Sequence, residues 1–373
     1  MKISFLKSNP FRMNSAIAVV LLCSVSFGFV VWIETVPIVK EADHAVIKKE
    51  ASQRAYNAFQ KIKEWRLSQN VPIDPTIDPA RTGWIGLESS PVTSSSGKLS
   101  SKQASIHPDF AVWFLDRFQN AGLKPGDTIA VGMSGSFPAL NVCFWIAADT
   151  MRLNVISIAS VASSQYGANH PDLLWPDLEN RLYQENSIFQ KSVFMSIGGI
   201  SDLGIGIGKE GREKILNSIR KNGYAHLSSD SFEDSLIQRK KIYDQKPVSL
   251  YVNIGGGTIS SGTSLGKKKI PKGTVIGEDD LAVADLPDSI LKNYLLQKIP
   301  VLHVSGIETI AKESGMKYES DRLSSPGSSD LIFKKEKNRW LAGFLFVLLS
   351  AMIWKLSPWI SLTDTKKENS FFL

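Results

Sequence analysis

The chain reads as an α/β domain: a mostly parallel sheet with helices on both faces, flanked by N- and C-terminal transmembrane helices. Three observations predict this. Between about residues 107 and 304, short β-branched apolar runs alternate with longer segments of helical period, the pattern of successive strand–helix units. The clearest unit is Asp127–Asn141 (DTIAVGMSGSFPALN): a buried strand at Thr128–Met133, a tight turn of small residues, and a helix opening at Phe137-Pro138. Outside the alternation, two apolar segments lie near the two chain ends.

The 373 residues allow one large domain or two small ones, and apolar content is ordinary for a globular core. The formal charge of +7 is concentrated at the ends. Residues 1–14 contribute +3 through Lys2, Lys7 and Arg12, and residues 334–373 contribute +4, so the body sums to zero. Charge that flanks apolar segments belongs to membrane anchoring. It leaves no basic stripe for a nucleic-acid backbone. The two cysteines, Cys23 and Cys143, form no disulfide framework. The five histidines are scattered without ligand spacing, so no metal site is expected, and no cofactor either.

In chain order, residues 1–14 form a cytoplasmic basic tail. Residues 15–33 (SAIAVVLLCSVSFGFVVWI) carry no charge and span about 28 Å as a helix, the thickness of a bilayer core. The bulky exit Val31-Trp32-Ile33 favours an uncleaved anchor over a signal peptide. Residues 40–69 show helical apolar spacing and are expected to be an amphipathic spacer helix. The α/β domain covers 72–330. Its first part, 72–105, is rich in Pro, Gly, Ser and Thr and reads as a long flap, with Trp84 and Ile85 packing down. Helices follow at His107–Gly122, Asp172–Asn186, Gly211–Asn222 and Ser231–Asp244. Strands are expected at Asn154–Val161, Ser192–Ile197, Val248–Ile254 and Pro300–Val304, with a short one at Ala225–Leu227. Residues 340–360 are the second transmembrane segment and 361–373 a tail.

Ligands in open α/β sheets bind at the carboxyl ends of strands. Four loops should meet there: Ser134–Asn141, Ser163–Asp172, Gly198–Asp202 and Asn253–Thr258. They supply the ligand-binding candidates Ser134, Gly135, Ser136, Asn141, Ser163, Ser164, Asn169, Gly198, Gly199, Asp202, Asn253, Gly255 and Gly256. Hydroxyls, amides and glycine N–H groups suit carboxylate, amide or phosphate recognition. An enzyme alternative uses Ser134 or Ser136 as nucleophile, because Gly132-Met133-Ser134-Gly135-Ser136 resembles G-x-S-x-G at a strand–turn–helix elbow. Asp202 would then be the acid and His226 or His303 the base. Gly206–Gly211 matches G-x-G-x-x-G, but residues intervene between it and the preceding strand, which weakens a dinucleotide reading. Asp177 and Glu179 suit a helix start. Arg239 either pairs with a carboxylate or is a solvated helix charge.

Taken together, VGMSGSFPALN, ASVASSQYGANHPDLLWPDLE, SIGGISDLGIGIGKEGR and YVNIGGG resemble the membrane-anchored poly-gamma-glutamate system protein family. The likeness covers roughly Arg81–Thr274 and the N-terminal anchor. At Trp175–Glu179 the chain departs from the family pattern, with Leu178 in place of methionine and Pro176 at the variable position. The resemblance implies an accessory role in poly-γ-glutamate synthesis or export. It implies as partners the membrane and other components of that system, and supplies no catalytic residues. With three positive charges before the first span, the main domain is expected outside the inner membrane and the N-terminus inside.

Overall fold

The computed structural model describes residues 13–263, 268–357 and 360–361. The expected tails over 1–14 and 361–373 lie, but for Met13–Asn14 and Ser361, outside the described residues. The chain forms two compact units: Ala42–Ile332, and the terminal segments Met1–Glu41 with Phe333–Leu373.

In the terminal unit, α1 (Ser15–Thr35) is continuous and apolar, and Ala16–Thr35 is long and apolar enough to cross a membrane. Its large side chains, such as Val20, Phe27 and Trp32, are exposed. Behind it, Ile38–Glu41 pairs antiparallel with Phe333–Glu336, so this ladder joins the end of α1 to the start of a second helix, Arg339–Leu356. That helix is shorter than the span expected over 340–360. It ends at Leu356 with Lys355 in its last turn, and among the described residues only Ala16–Thr35 qualifies as a span.

The body, Ala42–Ile332, opens with α2 (Ala45–Ser68). The expected spacer over 40–69 is corrected here. Ala51, Ala55, Ala58, Phe59 and Ile62 are fully buried, so the apolar stripe faces the core of the body itself. The alanines allow close approach, and α2 packs on α4 (Phe110–Asn120), α5 (Pro138–Thr150) and α6 (Trp175–Gln184). A short helix, α3 (Leu99–Ser105), lies in the segment expected to be a flap. Trp84 and Ile85 are buried, and the Trp84 indole N–H donates to the Phe59 carbonyl at 3.1 Å.

Among the described residues the sheet has seven strands. In chain order they are β1 (Thr128–Ser134), β2 (Asn154–Ser160), β3 (Phe194–Ser196), β4 (Ala225–His226), β5 (Leu250–Ile254), β6 (Val275–Ile276) and β7 (Val301–Val304). Their spatial order is β4-β3-β2-β1-β5-β7-β6, and every pairing is parallel except β6 with β7. β1 alternates as a doubly covered strand must. Ile129, Val131 and Met133 enter one core with α2, α4 and α5, whereas Ala130 enters the other, with Tyr243 and Leu291. Helix α5 is apolar all round because it is buried on every side. Chain order runs outward from β1 through β2, β3 and β4 in one direction and through β5 and β7 in the other. The connections therefore reverse between β1 and β5, and the loops leaving those two strands diverge to opposite faces.

Candidate functional site

A cleft of about 610 Å³ opens at that reversal point. Its walls come from the carboxyl ends of β1, β2, β3 and β5 and from the segment Ser94–Lys102. Six of the expected residues line it: Ser134, Ser136, Ser164, Gly199, Asp202 and Gly256. Eight serines stand in its walls.

The elbow forms as expected. Ser134 ends β1, α5 begins at Pro138, and the Ser136 N–H donates to Ser134 Oγ at 3.1 Å. Gly135 lies behind the wall. A Cβ there would stand 2.5 Å from the Val161 carbonyl oxygen, so the elbow can reach the loop after β2 only with glycine. Its N–H donates to the Ser160 carbonyl and its carbonyl accepts from Ala168 N–H, both at 2.8 Å.

The other expected residues frame the cleft from outside. Asn141 is buried and donates to the Ser134 carbonyl at 3.0 Å. Ser163 Oγ donates to the Ser164 carbonyl at 2.8 Å. Asn169 clamps the flap: its amide donates to the Leu87 carbonyl at 2.8 Å and to Thr93 Oγ1 at 2.9 Å, and its Oδ1 accepts from Leu87 N–H at 2.8 Å. Asn253, inside β5, donates to the Gly255 carbonyl and bonds His303 Nδ1, both at 2.9 Å. Gly198 and Gly255 are held at φ 83° and 96°, which turns the chain out of β3 and β5.

Asp202, the expected acid, commits both carboxylate oxygens to a buried network and hydrogen-bonds no histidine among the described residues. Its Oδ2 accepts from Arg239 Nη2 at 2.7 Å and Nε at 3.1 Å and from Ser235 Oγ at 2.8 Å, and its Oδ1 accepts from Ser196 Oγ at 2.6 Å. Both partners of this ion pair are about 1% exposed. Arg239, on α8 (Phe232–Tyr243), is therefore the carboxylate's counter-ion and not a solvated charge. Burial lowers the basicity of Arg239 more than any single neighbour raises it, but Asp202 together with Tyr243 and Tyr251 outweighs burial and holds the guanidinium above its ordinary value. No histidine lines the cleft, and His303 is engaged with Asn253. Ser201 and Asp202 both take left-handed backbone, at φ 57° and 66°, a strained turn that the buried ion pair holds in place.

The G-x-G-x-x-G stretch supports the flap. A Cβ on Gly211, in the first turn of α7 (Lys209–Lys221), would lie 1.9 Å from the Pro91 carbonyl. β3 ends at Ser196, well before this stretch.

The residue that sequence patterning missed is Lys102 on α3. It is 3% exposed. Its ammonium donates to the Ser136 carbonyl through a short bond and to Ser164 Oγ at 2.9 Å, and it sits 3.7 Å over the Phe137 ring. Burial lowers its pKa to about 7. Among the described residues no carboxylate pairs with it. Ser136 fixes the group from the other side, its Oγ accepting from Ser164 N–H at 2.9 Å. With Asp202 compensated by Arg239, the cleft presents Lys102, the exposed Lys98 and a set of hydroxyls. Such a wall attracts an anion and can satisfy its oxygens.

No protein-family model, no curated protein and no solved structure matches the chain.

Proposed function

We propose that the cleft binds an anionic ligand in a membrane-anchored protein, and that this ligand is a carboxylate-bearing polymer. One observation supports this above the others: a buried lysine points into a serine-lined cleft whose single acid is already paired. A carboxylate would supply the missing counter-charge, and charge-assisted hydrogen bonds from Lys102 and the serine hydroxyls would hold it. The family resemblance names poly-γ-glutamate as the polymer and an accessory part in its synthesis or export as the role. The membrane and the other components of that system are then the partners.

The anchor reading places the protein in the inner membrane with its body outside, on the strength of Lys2, Lys7 and Arg12 ahead of α1. We include a second span in this proposal. Arg339–Leu356 exposes Trp340, Phe344, Phe346 and Val347, an apolar surface that lipid would cover. Lys355 would snorkel to the interface.

Titration of the full chain in detergent with poly-γ-glutamate, beside neutral dextran, tests the binding. We expect saturable binding of the acidic polymer alone, weakened about tenfold or more in Lys102→Met, which loses a charge-assisted contact. Equal affinity in wild type and variant would defeat the assignment. The enzyme alternative through Ser134 or Ser136 loses ground, because no basic side chain reaches Ser134 Oγ among the described residues. The base in the cleft instead meets Ser164.

A further inference from the structure

We infer that Ser164 and Lys102 form a nucleophile–base pair that cleaves or transfers the amide bonds of the acidic chain held in the cleft; this rests on the anion-binding function proposed above. Lys102 Nζ lies 2.9 Å from Ser164 Oγ, inside the range of an activated nucleophile and its base. Ser164 lines the cleft, so its hydroxyl can meet a bound carbonyl.

Each partner is fixed from a second direction, as the chemistry requires. The Ser136 carbonyl takes one amine proton of Lys102, which leaves the nitrogen lone pair of the neutral amine for the Ser164 hydroxyl. Ser136 Oγ accepts the Ser164 backbone N–H, and Ser164 pairs as a short strand with the flap at Ser95. A lysine whose pKa lies at about 7 is half neutral near pH 7 and can accept a proton. This gives the otherwise isolated burial of Lys102 a chemical use.

The step balances without a further oxidant or reductant. Ser164 Oγ attacks the amide carbon while its proton passes to Lys102 Nζ. The tetrahedral adduct collapses, the C–N bond breaks, and the leaving amine takes the proton from Lys102. An ester on Ser164 remains. Water, or the amine of another chain, then attacks this ester and gives its proton to Lys102. The acyl–oxygen bond breaks, and the proton returns to Ser164 Oγ.

The test uses the full chain in detergent and a biotinylated fluorophosphonate, with the adduct located by peptide mass spectrometry. Poly-γ-glutamate binding is measured on the same samples. We expect an adduct on Ser164 whose rate of formation rises with pH through about 7. The rate should fall about a hundredfold or more in Lys102→Arg, which keeps the charge and loses the base. Ser164→Ala should lose the adduct. The pH profile of the wild-type protein tests the pair even if a variant misfolds. Polymer binding without an adduct on Ser164, an adduct on another serine, or a rate flat between pH 6 and 8 would overturn the pair and leave the binding function standing. An adduct on Ser164 without polymer binding would instead overturn the acidic substrate.

Discussion

Lys102 and the Asp202–Arg239 pair show how differently two buried charges can be handled. The pair is compensated on every side, and removing one partner leaves the other stranded. Asp202→Asn or Arg239→Met should each destabilise the body by about 3–5 kcal/mol, and the double variant should recover much of the loss. Thermal melts of the three proteins decide this; additive losses would mean that the two groups act separately. Lys102 is uncompensated, and the sign of its effect is opposite. Its pKa falls from 10.5 in the unfolded chain to about 7 in the folded one, so between those values the unfolded state holds more protons. Stability should therefore rise with pH from about 7 toward 10. Lys102→Met should be more stable than wild type at pH 7, by on the order of a few kcal/mol, with the difference shrinking toward pH 10. A pH-independent difference between the two melts would contradict this. Little of this was legible from residue types. The serines and glycines of the elbow announced themselves by spacing. The burial of Lys102 depends on where a seven-residue helix lands, and no local pattern encodes that. Asp202 sits in a turn, and its partner lies 37 positions away on α8. The glycines differ in what they supply. At the end of β5 the left-handed position is Gly255, and Gly135 is required by close approach to Val161 and not by its φ.

At the scale of elements, the sheet was readable because each parallel strand is a continuous apolar run bounded by turn residues. The boundary of the helix at 45–68 was equally visible, but its partner was not. Amphipathic spacing reports that one side is apolar, and cannot say whether a neighbouring layer or nothing covers it. Phe59→Ala measures the difference: a core helix predicts a loss of about 3–5 kcal/mol, whereas a free spacer predicts an unchanged melting temperature. The antiparallel edge strand β6 and the short helices Ile290–Leu296 and Ile307–Glu313 went unseen because two to seven residues carry too little periodicity. The flap was read as loop, and most of it is. What composition could not convey is that Asn169 ties it down at three points. Asn169→Ala should speed proteolytic nicking between residues 87 and 105 several-fold. Unaltered cleavage would show that the clamp is dispensable.

For the molecule as a whole, charge at the chain ends and one long apolar helix were enough to expect a tethered domain, and Ala16–Thr35 fits that expectation. The proposed side of the membrane rests on three basic residues and is open to direct measurement. Ser95→Cys in a variant lacking Cys23 and Cys143 should react with an impermeant maleimide before the inner membrane is broken. Labelling only after lysis would put the body in the cytoplasm.

One detail of the body has a mechanical meaning. The backbone N–H of Ala42 donates to the carbonyl of Ile332 at 2.9 Å, so the first and last residues of the body touch. The 291 residues from Ala42 to Ile332 make a bead whose thread enters and leaves at one spot. Tension arriving along both threads therefore meets at the hydrogen bond between Ala42 and Ile332 and not at opposite ends of the sheet. The same closeness makes the bead's order of reading arbitrary. Joined by a linker of two or three residues and reopened in a surface loop, a circular permutant has every contact of the original available to it.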